Sequence, residues 1–433
     1  MKSLVRFSLI LVLALGLTTG LFANGLNLNG FGARATAMGG AYVSLANDYT
    51  AVFWNPAGLA LIKQPTFGLA GDLLFPSATY GFGSFGMETT SKFYPAGLLG
   101  FFTPISENIV IGVGAYTLSG LGAEWDNPGL EAAMLGAYFP NGYVSNPPVE
   151  AYDWRSFIGS ITIAPSIAVK LSDMLSLGAT VNINYGFFQT DQWGEFQMLA
   201  PGPPSILFNN GQAALDVKGW GYGATFGLML KPSDMISFGA TYRLESKIQM
   251  SGTQMIENLP LINAAIPDTS DAELEAISPQ WLGLGVSIKP TANLTLAVDA
   301  QYTNWKKLDV LTVHYLDPVW ASSLKLTENQ LELYWADKWQ FRGGIEYTMG
   351  KFAFRGGYYY DPAPAPDETL NILVPSFTFN SISGGFGYKS GAFTVDFALE
   401  YLMGQDRTVT EGAMPGAYTM NIVVPCLGLS YSF

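Results

Sequence analysis

Five cations stand out in a chain that carries little charge: Arg34, Arg243, Lys247, Arg342 and Arg355. A cation held away from water binds a carboxylate through charge-assisted hydrogen bonds, and arginine does so with a two-pronged fork. The same five can instead close internal ion pairs, since Glu245, Asp299, Glu346, Asp396 and Glu400 recur beside them in the sequence. Covalent and metal chemistry is poorly supplied. There is one histidine, His314, and one cysteine, Cys426. A disulfide, a multi-histidine metal site and a serine–histidine relay each lack a second member. No catalytic residue, metal or cofactor is expected, and the chain reads as a non-enzyme.

The elements that must position these cations are strands. From about residue 65 the chain alternates apolar and polar or small residues with a period of two. Ile236, Phe238, Ala240, Tyr242 and Leu244 oppose Ser237, Gly239, Thr241, Arg243, Glu245 and Lys247. Leu294, Leu296, Val298, Ala300 and Tyr302 oppose Thr295, Asp299, Gln301 and Thr303. Phe393, Val395, Phe397, Leu399 and Tyr401 oppose Thr394, Asp396 and Glu400. Short connections at 104–108, 171–174, 231–235, 289–293, 348–351 and 389–391 take turns with longer loops near 117–153, 188–217, 250–278, 306–336, 361–375 and 404–416. Short turns at one end and long loops at the other describe an all-β, transmembrane antiparallel β-barrel of about 14 strands. Its polar face looks into a lumen, where alternation places Arg243, Lys247, Arg342 and Arg355.

Composition agrees. Charged residues are 13% and aromatics 14% of the 433 residues, with 49 glycines, a balance unusual for a soluble enzyme. No apolar run long enough for a spanning helix follows the N-terminus. The start, "MKSLVRFSLILVLALGLTTGLFA", has the charged, apolar and small-residue regions of a signal peptide over 1–23. Its removal takes Lys2 and Arg6 and moves the net charge from −13 to −15 (−13 − 2), which argues against nucleic acid as a partner. The final strand, "CLGLSYSF", ends in Phe433, a terminus that suits recognition by outer-membrane assembly machinery. Outer-membrane lipids are the surrounding partner, and the location is the outer membrane of a Gram-negative bacterium.

The long loops are apolar where loops are usually polar. Trp193, Phe196, Met198, Leu199 and Phe208 cluster in one; Met255, Ile256, Leu259, Leu261 and Ile262 cluster in another. These ten are candidates for hydrophobic capture. Residues 127–139 suit a short helix. "DTSDAELEAISP" suits another, with Ser270 as cap and Glu273 closing a capping box.

Residues 24–64 break the alternation. They are rich in Gly and Ala, and they contain Asn55, Pro56, Ala57, Gly58 and Leu59, a turn-forming run. A folded N-terminal plug (hatch) inside the barrel accounts for a segment of this length, leaving 65–433 for the wall. The run "FGARATAMGGAYVSLANDYTAVFWNPAGL" resembles the N-terminal plug of the FadL family of outer-membrane transporters for hydrophobic compounds. "GWGYGATFGLMLKPSDMISFGATYRLESKIQMSG", "YTNWKKLD" and "FRGGYYYDPAPAP" resemble later segments of that family, so the likeness covers nearly the whole mature chain. It implies a fourteen-stranded monomer that passes hydrophobic small molecules, long-chain fatty acids or aromatic hydrocarbons, from outer loops to a pocket near the plug. It also implies release through a shifted plug or sideways through a kinked strand, such as 109–118 or 158–170. A surface barrel that binds or escorts secreted proteins is the alternative from another class, since some such barrels share the NPAGL-like run.

Overall fold

The computed structural model describes residues 28–433. The expected signal peptide and the first residues of the expected plug lie outside this range. Fourteen antiparallel wall strands close into a barrel. They are β1 (Thr66–Phe82), β2 (Tyr94–Ser106), β3 (Ile109–Asp126), β4 (Trp154–Lys170), β5 (Leu175–Trp193) and β6 (Gln212–Ser233). Four strands follow in two segments each: β7 (Ile236–Arg243, then Ser246–Ile256), β8 (Thr269–Ser278, then Trp281–Thr291), β9 (Leu294–Thr303, then Val310–Tyr315) and β10 (Glu328–Glu332, then Lys338–Met349). The last four are β11 (Phe352–Asp361), β12 (Phe379–Ser390), β13 (Phe393–Gly404) and β14 (Gly416–Ser432). Closure comes from β1 on β14, in register from Thr66↔Ser432 to Gly81↔Ala417. Closure leaves no free sheet edge, the condition for strands to cross lipid. None of the described helices is long and apolar enough to cross a membrane.

Alternation sorts the wall as expected. Phe226, Phe238, Leu284, Val298, Phe354, Phe397 and Leu427 are exposed on the outside. Asp299, Arg342, Glu346, Glu400 and Cys426 are buried on the inside. Residues 28–62 lie within the ring, and nearly all are buried. They form two short helices, Ala33–Ala37 and Ala51–Trp54, and a 3-10 turn, Pro56–Leu61. Small residues allow this fit. A Cβ on Gly58 would sit 1.6 Å from the Ala46 carbonyl oxygen, and one on Gly357 would sit 2.0 Å from the Gly39 nitrogen.

Several expectations change. The stretch expected to be a helix with Ser270 as cap is the strand Thr269–Ser278, paired with Ser246–Ile256 from Met255↔Thr269 to Ser246↔Ser278. Ser270, Ala272 and Leu274 are buried while Asp271, Glu273 and Glu275 are exposed, a two-residue period that outweighs the chance capping box. The loop expected over 188–217 spans only 194–211, because β5 and β6 run on above the membrane to Trp193 and from Gln212. The loop expected over 117–153 likewise begins after Asp126. The helix expected within 127–139 is present as Leu130–Tyr138.

Wall strands β7 and β8 are interrupted at one level, at Leu244-Glu245 and Pro279-Gln280. Below the interruption odd-numbered residues face the lumen, as with Arg243 and Trp281; above it even-numbered ones do, as with Ser246, Ile248 and Met250. This corrects the position expected for Lys247. It lies outside, exposed, its ammonium 2.9 Å from Glu275. Glu245 falls in the break and meets Lys307 at 3.2 Å.

Candidate functional site

The enclosed segment is fastened to the wall by its own turn motif. Asn55 is fully buried, and its amide donates to the carbonyl oxygens of Val43 (2.9 Å) and Leu228 of β6 (3.0 Å). Its side-chain oxygen accepts from the Ala57 N–H at 3.1 Å, capping the turn that Pro56 begins. On β9, Asp299 accepts the backbone N–H groups of Tyr42 (2.8 Å) and Val43 (2.9 Å).

The cations divide into two classes. Arg34 and Arg355 share Glu346, at 2.9 and 2.7 Å, and Arg355 also reaches Asp396 at 2.7 Å. Arg34 comes from the enclosed segment and the other three from the wall, so this cluster is a structural clasp. Glu346→Gln would take from the half-buried Arg34 and the buried Arg355 the carboxylate they share. We expect it to cost about 3 kcal/mol, read as a lower urea midpoint of the barrel in detergent.

Arg243 and Arg342 are different. Both are nearly fully buried, and neither is in salt-bridge contact with a carboxylate among the described residues. Arg243 donates one hydrogen bond, to the Phe53 carbonyl at 3.2 Å, and its Nε has no partner. Its guanidinium lies 4.9 Å from the Phe53 ring centre and 5.1 Å from that of Trp281, a sandwich that holds its charge in place. Arg342 donates to the Asn29 carbonyl (2.8 Å) and to Gln340 (2.7 Å) and lies 4.5 Å from the Tyr359 ring, with its own Nε unpartnered. Both line one cavity, together with Phe53, Trp54, Leu118 and Trp281.

A second, more apolar cavity lies above, against Ile158, Phe187, Ile248, Met250 and Pro279. A bulge in β3 lies between them, where the register with β4 shifts between Thr117 and Ser119. Leu118 lines the first cavity and Ser119 the second. At this bulge β3 also parts from β2. Their pairing ends at Leu98↔Tyr116, and only the short strand Phe85–Thr89 meets β3 again, at Glu88↔Asp126. Both stretches expected to kink adjoin the shift, 109–118 through Thr117 and 158–170 through its partner Ile161.

The loops above carry an apolar surface. Tyr143–Ser145, Ser205–Asn209 and Phe196–Ala200 make a small three-stranded sheet beside the helix Leu130–Tyr138. Met198, Leu199, Ile206 and Tyr138 are exposed on it, and Leu261 and Ile262 are exposed at the next hairpin. Phe196, Phe208, Met255 and Ile256 are half-buried. Trp193 and Leu259 are buried, so they support the surface rather than form it; the Trp193 indole donates to Asn209 at 2.9 Å. His314 stands exposed on the segment Val310–Tyr315, 3.4 Å from Glu328. The Cys426 thiol is buried against its own strand.

Sequence reading missed Phe53, Leu118 and Trp281 as neighbours of Arg243. Trp281 had a signal, as an aromatic at an inward position directly opposite Arg243 in the facing strand. Leu118 had none, because a bulge leaves no mark in an alternation.

A model of the family described as outer membrane protein transport protein (OMPP1/FadL/TodX) matches residues 14–433. The long-chain fatty acid transport protein of Escherichia coli O6:H1 is 23% identical, over 96% of this chain and 95% of its own length. Outer membrane protein P1 of Haemophilus influenzae is 22% identical, over 77% and 74%. Among solved structures, a Pseudomonas aeruginosa FadL homologue superposes with a TM-score of 0.77 at 18% identity, covering 94% of this chain and all of that one. The Pseudomonas putida toluene transporter TodX gives 0.70 at 17% identity, covering 95% and 100%. At such identities the structures speak to the fold.

Proposed function

The chain belongs to the OMPP1/FadL/TodX family of outer-membrane transport proteins for hydrophobic compounds, and from that premise we propose that it carries long-chain fatty acids inward without an energy source. The observation that carries this reading is Arg243, buried without a carboxylate partner, in one cavity with Arg342 and beside a second, apolar cavity. A buried arginine without a counter-ion is costly unless something supplies the charge. A fatty acid supplies it, its carboxylate at the Arg243 fork and its chain against Ile158, Ile248 and Met250. Met198, Leu199 and Leu261 on the loops take up the molecule first. Residues 28–62 act as the plug that closes the path below. The parting of β2 and β3 beside Leu118 supports sideways release into the membrane.

Aromatic hydrocarbon uptake is the second reading, and what favours it is the structural likeness to a toluene transporter. The purified barrel is titrated with a fluorescent long-chain fatty acid and then challenged with oleate and with toluene. Saturable binding displaced by oleate is the expected result. Displacement by toluene alone would assign the cavity to hydrocarbons. No saturable binding would favour a barrel that escorts proteins.

A further inference from the structure

One long loop does not stay over its own strands. Residues 362–378 join β11 to β12, yet the tip of the loop is fastened to β3 and β4. The Trp125 indole donates to the Ile372 carbonyl at 2.9 Å, and the Ser156 hydroxyl donates to the Leu373 carbonyl. β4 stands seven places from β11 in either direction round a ring of fourteen (11 − 4 = 7; 14 − 7 = 7). The loop therefore crosses the mouth of the barrel as a strap. It is packed along its length: Leu370, Ile372, Val374 and Phe377 are buried, and within it only Asp367 and Glu368 are exposed.

Beneath the strap lies the apolar cavity. On β4 the inward positions run Ser156, Ile158, Ser160; the first holds the strap and the next two line the cavity. On β3 Trp125 holds the strap, and Ser119, three inward positions below, lines the cavity. The two ends of the strap are held differently. At the near end Arg407 reaches Asp367 and the carbonyl oxygens of Ala365 (3.1 Å) and Ser376 (2.8 Å), so it ties both limbs together. Pro362, Pro364 and Pro366 stiffen the first limb, and the Thr369 hydroxyl donates to the Leu333 carbonyl beside β10 at 2.6 Å. At the far end Asn371 folds the tip, accepting the N–H groups of Leu373 (3.0 Å) and Val374 (2.8 Å). Among the described residues no backbone hydrogen bond joins this tip to β3 or β4. A strap continuous with the wall at one end, and held by two side chains at the other, opens at the second.

We propose that residues 362–378 are a lid, hinged over β11 and β12, whose tip lifts from β3 and β4 to admit cargo to the apolar cavity. This rests on the barrel's being a transporter but not on which molecule it carries. Met198, Leu199 and Leu261 are exposed on the loops that follow β5 and β7, while the cavity lies under the strap, so a molecule taken up by those loops meets the strap first.

A cysteine reporter reads the lid without any cargo. M250C is introduced into the cavity together with C426S, and its modification by a water-soluble methanethiosulfonate is timed on the purified barrel. We expect slow labelling with the strap intact, about fivefold faster labelling when W125F is added, and about tenfold faster with R407Q. H314Q, on an outer segment the strap does not touch, should leave the rate unchanged. Amide exchange over 28–62 should stay as in the native protein throughout, which places the opening above the cavity rather than at the plug. Labelling of the strap-intact protein as fast as that of M198C on the open loop would overturn the proposal. So would rates untouched by W125F and R407Q, or faster labelling that comes with faster exchange over 28–62. If R407Q does not fold, W125F and N371A decide. None of these outcomes depends on fatty-acid binding.

Discussion

Replacing Arg243 with glutamine is expected to weaken fatty-acid binding about thirtyfold or more, and to leave binding of the methyl ester of the same acid within about twofold. The fork would lose a charge-assisted pair worth about 2–3 kcal/mol in a water-poor cavity. The ester keeps the chain but offers no charge, so it never drew on that pair. Arg243→Lys should recover only part of the loss, because an ammonium restores the charge without the planar fork held between Phe53 and Trp281. Calorimetric titration of acid and ester against the three proteins tests this. Equal loss for acid and ester would mean that Arg243 merely supports the plug.

The second large effect concerns Asn55. Asn55→Ala removes three buried hydrogen bonds at once, two of them tying the plug to itself and to β6. The Val43 and Leu228 carbonyls and the Ala57 N–H would then be left wanting inside a lumen that offers little water. The expected cost is about 3 kcal/mol, borne by the plug alone because the wall keeps every strand pair. The readout follows: frequent openings in planar bilayers where the native protein stays closed, with faster amide exchange over 39–61 and an unchanged exchange pattern in β11–β14. An unaltered conductance together with unaltered exchange would show that the clasp of Arg34, Glu346, Arg355 and Asp396 holds the plug without the turn.

The wall was legible because its code is simple. A barrel strand must satisfy lipid on one face and lumen on the other, so Phe397 and Asp396 announce their sides by position alone. Residues 28–62 stood out for the opposite reason, since they carry apolar weight without any alternation. The proposed carboxylate site was only half legible. The sequence named Arg243 and Arg342 but also Arg34, Arg355 and Lys247, and nothing in it tells a guanidinium that meets Glu346 from one that meets none. That distinction depends on contacts between residues hundreds of positions apart, such as Arg34 with Glu346. The loops were misjudged at their edges because β5 and β6 continue above the membrane with the same composition. Residues 269–278 were misjudged because a local capping pattern says nothing of the strand waiting alongside.

The break at Leu244-Glu245 acts on side chains as a frameshift acts on codons. Ile236, Phe238, Ile248 and Met250 all stand at even positions, one unbroken apolar rhythm. Below the break that rhythm is spent on lipid; above it the same rhythm paves the interior. One strand thus serves two solvents without any change in its vocabulary. A strand that ran straight through Leu244-Glu245 with no residue lost would keep one frame throughout, turning Ile248 and Met250 outward and Lys247 into the lumen.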